Sequence, residues 1–116
     1  MDRRDKDNAA KVASGKSWRD ELAQLALNLR RAVPGGARVL LHGSAVHGVD
    51  PGDVDLAIIV QDGTDRFEAV RTMAGLLADR SVATGVLHTC FPIEASSCSS
   101  AVSQYVRNVL LDGREL

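Results

Sequence analysis

Residues Leu40–Val60, LLHGSAVHGVDPGDVDLAIIV, govern how this chain is read. One apolar run ends at His42, and Gly43 and Ser44 make a turn. After Asp50-Pro51-Gly52 a second apolar run opens with Asp53-Val54-Asp55. The run DVDLAIIV reads as a strand. Its alternation puts Val54, Leu56, Ile58 and Val60 on one face and Asp53, Asp55, Ala57 and Ile59 on the other. The two carboxylates then lie only about 7 Å apart at the Cα level, and they repel unless a cation sits between them. Mg²⁺ suits that demand, with Mn²⁺ as the alternative, because it takes oxygen ligands and is commonly held by one or two carboxylates together with substrate phosphates. Gly43 lets the backbone approach a phosphate closely, and Ser44 adds a hydroxyl and amide donors. Metal ligands and anchor together describe a nucleoside triphosphate site.

Outward from this stretch the pattern is regular. Ser17 with Asp20 resembles a helix cap, and Trp18, Leu22, Leu25, Leu29 and Val33 recur at helical spacing until Pro34-Gly35-Gly36. Ala37–His42 reads as a buried strand. Thr64 to about Arg80 reads as a second helix with Phe67, Val70, Ala74 and Leu77 on its core face, and Val82–Phe91 as a third strand. Ser96–Ser100 reads as a flexible loop, and Ala101 to about Leu111 as a last helix stopped by Asp112-Gly113. The expectation is an α/β (α+β) domain over residues 17–116 preceded by a flexible arm over 1–16. Its helices cover one face of a three-stranded sheet and leave the aspartate face open.

Composition narrows the function classes. The 116 residues fit one domain. A formal net charge of −1 gives no basic field for double-stranded nucleic acid or an anionic membrane, so any phosphate binding is local. No apolar run reaches the roughly 20 residues of a membrane span, and the charged start has no signal-peptide core behind it; the chain reads as cytoplasmic. Cys90 and Cys98 are too few for a disulfide framework, and with His88 they match no common zinc spacing.

Gly43-Ser44 followed at a short distance by Asp53-Val54-Asp55 resembles the Gly-Ser…Asp-x-Asp motif of the DNA polymerase β nucleotidyltransferase superfamily. It is most similar to the minimal single-domain bacterial branch whose members often accompany a HEPN-domain protein in toxin–antitoxin pairs. The resemblance runs from about Val39 to the C-terminus and implies a mixed sheet. It also implies transfer of a nucleoside monophosphate, AMP from ATP first among the candidates, to an acceptor hydroxyl with release of pyrophosphate. Asp53 and Asp55 would hold the metal, while Gly43 and Ser44 would position the distal phosphates.

The chain departs from that pattern at three points. The Ser44–Asp53 gap is short, the arginines common after Gly-Ser are replaced by Ala45 and His47, and the third strand, where the superfamily carries a third carboxylate, contains no acid. His88 would share the aspartate face, as a substitute base or ligand, if Leu87 and Phe91 face the helices. Two classes stay open: an active transferase, or a nucleotidyltransferase-like binding or antitoxin subunit with weakened catalysis. A thin sheet with one covered face also implies a protein partner, either a second copy or a helical HEPN-type subunit.

Overall fold

The computed structural model describes residues 18–47, 52–100 and 103–116. The expectations placed on the arm at 1–16, on Ser17 as a cap, on Asp50-Pro51 and on Ala101 and Val102 lie outside the described residues. In chain order the elements are α1 (Trp18–Ala32), β1 (Gly36–His42), a 3₁₀ turn (Gly43–Val46), β2 (Asp53–Val60), α2 (Arg66–Thr84), β3 (Leu87–Glu94), α3 (Ala95–Ser100), α4 (Gln104–Asp112) and β4 (Arg114–Glu115). The sheet order is β3-β2-β1-β4, with β2 and β3 parallel and the other pairs antiparallel. The parallel pair requires a crossover, which α2 supplies.

The main core lies on one face of the sheet. Leu22, Leu25, Ala26 and Leu29 of α1 are buried at helical spacing against Val39, Leu41, Val54, Leu56, Ile58 and Val60. The predicted alternation of β2 is therefore the observed one. A half-exposed ion pair, Arg80 to Glu21 at 2.5 Å, ties α2 to α1.

The expected mixed α+β architecture is present, and five details of it are corrected. A short fourth strand exists: Leu116 N donates to Val39 O at 2.9 Å, and Arg38 pairs with Glu115 at 2.7 Å, so the chain's last residues extend the sheet beyond β1. The helices do not keep to one face. Val106 and Val109 of α4 cover Leu40, Ala57, Ile59 and Ile93 on the aspartate side, while Asp53, Leu87 and Phe91 on that side stay exposed. The core stripe of α2 is Ala69 and Met73, with Leu76 and Leu77 partly buried, whereas Phe67 is 80% and Val70 46% exposed. Helix α2 also runs on to Thr84, where Gly85 in the left-handed conformation (φ 72°) caps it, so β3 begins at Leu87. Ser96–Ser100 belongs to a short helix rather than a loop.

The placement of α2 gives a paired test. Leu29→Ala, at a fully buried site, should lower the unfolding free energy by about 2–5 kcal/mol. Phe67→Ser should change it by less than about 0.5 kcal/mol, as an exposed site does. Chemical denaturation of both variants measures the difference, and equal losses would contradict the observed face of α2.

Candidate nucleotide site

The antiparallel register of β1 and β2 pairs His42 with Asp55, and the parallel register of β2 and β3 pairs Asp55 with Thr89 and Asp53 with Leu87. Directly paired residues share a face, so one row across the sheet reads Thr89, Asp55, His42. Asp53 is exposed and Asp55 half-buried. Thr89 Oγ1 donates to Asp55 Oδ1 at 3.0 Å, which fixes one carboxylate oxygen.

The other oxygen meets the turn. Gly43 has φ 72°, and a Cβ added there would lie 2.8 Å from Asp55 Oδ2. Glycine is required on both counts: the left-handed backbone, and the lack of room for a side chain. Ala45 and Val46 are buried and anchor the turn, while Gly43 and Ser44 remain exposed. Gly43 thus lies against the half-buried Asp55, while Ser44 and Asp53 are exposed. Asp55 offers an oriented carboxylate and Asp53 a solvated one, a donor set that fits a hard cation already carrying water and phosphate oxygens. Among the described residues no group of three or more His, Cys, Asp or Glu is placed to hold a metal ion.

His88 is elsewhere. It pairs with Val54, whose side chain lies in the main core, and it is itself buried on that helix-covered face. Its Nδ1 donates to Val86 O at 2.8 Å, and its backbone N donates to Ser81 Oγ at 2.9 Å. The expected placement beside the aspartates is corrected: Leu87 and Phe91, 58% and 53% exposed, take that face. Burial lowers the imidazole pKa below its ordinary value, the Val86 hydrogen bond opposes the shift and the Arg80 charge adds to it. Cys90 is in the same core, and burial pushes its thiol up to about 12. Such a thiol behaves as a small apolar side chain.

The spacing of motifs did not bring out the other residues at the site. Tyr105 of α4 places its hydroxyl 3.3 Å from His42 Nε2 and its ring against His42, with centroids 5.5 Å apart. It also meets Phe91 edge-on, at 6.3 Å and 85°. Burial raises the Tyr105 phenol pKa, and the neighbouring Cys90 and Asp55 charges reinforce the shift. Gly85 was a signal for where β3 starts; which of its two faces meets the aspartates is set by the pairing with β2, which the sequence does not display.

Comparison with known proteins separates fold from family. No family model matches the chain, and no curated protein matches it. Among solved structures, a crystal structure of a mutant of the toxin–antitoxin MntA-HpeT is similar, with a TM-score of 0.56 at 18% identity, over 83% of this chain and 69% of that one. The likeness is one of fold. It agrees with the expected mixed α+β arrangement.

Two predictions follow from this geometry. Gly43→Ala should cost about 1–2 kcal/mol for the left-handed backbone alone, and thermal or chemical denaturation should read at least that loss. His88 binds its proton more weakly folded than unfolded, so between its lowered value and the ordinary 6.5 the unfolded chain holds more protons. Stability should therefore fall as the pH drops below about 6.5, and His88→Gln should flatten that slope in denaturation curves taken across the range.

Proposed function

We propose that this chain binds a nucleoside triphosphate, ATP first among the candidates, and transfers its nucleoside monophosphate to an acceptor hydroxyl. In this reading Gly43 and Ser44 receive the distal phosphates, and Asp53 and Asp55 would hold Mg²⁺, with Mn²⁺ able to substitute. When bound, the ion neutralises the triphosphate and favours the departure of pyrophosphate. The acceptor oxygen forms the new bond to the α-phosphorus as the bond to pyrophosphate breaks, and the hydroxyl proton is lost to water. The observation that carries the proposal is the close fit of Gly43 against Asp55, with Thr89 holding the carboxylate from the other side. It makes the turn and the metal ligand a single unit rather than two coincident motifs.

The biological setting supported best is the nucleotidyltransferase half of a toxin–antitoxin pair, with a helical HEPN-type subunit as partner. The neighbour of similar fold is a toxin–antitoxin complex, studied in a form in which two aspartates separated by one residue are replaced by glutamate. That is also the spacing of Asp53 and Asp55. A second reading, a subunit that binds nucleotide but transfers it poorly, is favoured by Thr89: where a third carboxylate would stand opposite Asp55, the third strand offers a hydroxyl. His88 has no role in either reading, since its ring faces the core.

Asp53→Asn combined with Asp55→Asn should abolish Mg²⁺-dependent triphosphate binding while leaving the fold intact, because it removes two mutually repelling charges from an open surface. Calorimetric titration with MgATP, alongside circular dichroism, measures both. Unchanged metal-dependent binding in the folded double variant would refute the assignment. Pyrophosphate release on addition of proteins co-purifying from the native host separates the transferase from the binding subunit.

A further inference from the structure

We propose that the groove between β3 and α4 is the nucleobase subsite of this nucleotide site; the proposal rests on the triphosphate reading of Gly43, Ser44, Asp53 and Asp55. The groove has a volume of about 530 Å³ and is lined by Phe91, Tyr105, Arg66, Glu94, Ser97 and Ser103, with apolar floor from the neighbouring strand and helix residues. That volume falls within the roughly 300–1,000 Å³ of small-molecule sites, which are typically apolar and aromatic with a few polar groups.

Three observations select a nucleobase as the occupant. The first is the aromatic pair. Phe91 and Tyr105 stand nearly perpendicular, 85° apart, and both keep ring surface in water, at 53% and 38% exposure. A base that stacks on the face of Phe91 meets Tyr105 as a side wall, since the two rings are edge to face. The second is continuity with the carboxylates. Phe91 lies two residues beyond Thr89 on the same face of β3, about 7 Å along the strand, and Tyr105 reaches His42, the cross-strand partner of Asp55. The third is direction. The phosphate turn follows β1, the carboxylates sit on β2 and the groove borders β3. A triphosphate anchored at Gly43-Ser44 and crossing Asp55 reaches β3 at Thr89, two residues before Phe91, so its sugar and base turn along the strand to meet that ring. The Ser97 and Ser103 hydroxyls, the Glu94 carboxylate and the Arg66 guanidinium supply donors and acceptors for the edge of a base.

The test compares two ligands that share the phosphates and differ in the base, MgATP and Mg²⁺-tripolyphosphate, by calorimetric titration. Phe91→Ala, at a half-exposed position, should weaken MgATP binding by about tenfold or more and leave tripolyphosphate binding unchanged. Wild-type MgATP affinity in Phe91→Ala overturns the proposal, even if transfer to an acceptor is lost, since the groove then serves the acceptor. Equal loss of both ligands also overturns it. Wild-type protein that binds neither ligand refutes the triphosphate site itself, and the subsite with it.

Discussion

Strand β2 is buried on both faces from Leu56 to Val60 and carries a pair of carboxylates at its one open end. This constraint organises the rest of the structure. A strand with apolar residues on both sides needs cover on both sides; α1 and α2 provide it on one face and α4 on the other. The carboxylates cannot be covered in the same way, since desolvating two like charges is costly. The site is therefore the region where burial of the central strand stops. Its neighbours are whatever the flanking strands bring to that row: Thr89 from β3 and His42 from β1.

Much of this was legible in the sequence, and the failures share a cause. The period-2 pattern of β2 and the helical stripe of α1 were read correctly because apolar and polar positions are cleanly separated there. The turn was legible because glycine and serine interrupt an apolar run; that a Cβ on Gly43 would meet Asp55 Oδ2 at 2.8 Å was not, since the sequence assigns that glycine to a phosphate instead. For α2 and β3, apolar character was taken as inward-facing, and it is not. Phe67, Val70, Leu87 and Phe91 are exposed, while Ala69, Met73, His88 and Cys90 fill the core. In β3 a histidine sits inside because Val86 O satisfies its ring and Ser81 Oγ its backbone amide. No periodicity argument anticipates a polar ring exchanged for an apolar one. The fourth strand was missed for another reason, as two residues carry no pattern at all.

The exposed apolar side chains also bear on assembly. Phe67, Val82 and Leu111 are each more than three-quarters exposed on helices whose opposite sides are committed to the core. Their exposure leaves apolar surface that burial against a second chain would remove from water.

Helix α4 has nine residues and buries only Val106 and Val109. So short a helix, held by so few apolar contacts, belongs to the low-stability end of the molecule, where local opening precedes global unfolding. Its amides should therefore exchange with solvent before those of β2. Because Tyr105 rides on this helix and touches both His42 and Phe91, each such opening would loosen the aromatic contacts beside the carboxylates. A molecule that bridges α4 and the sheet would slow that exchange without altering the main core.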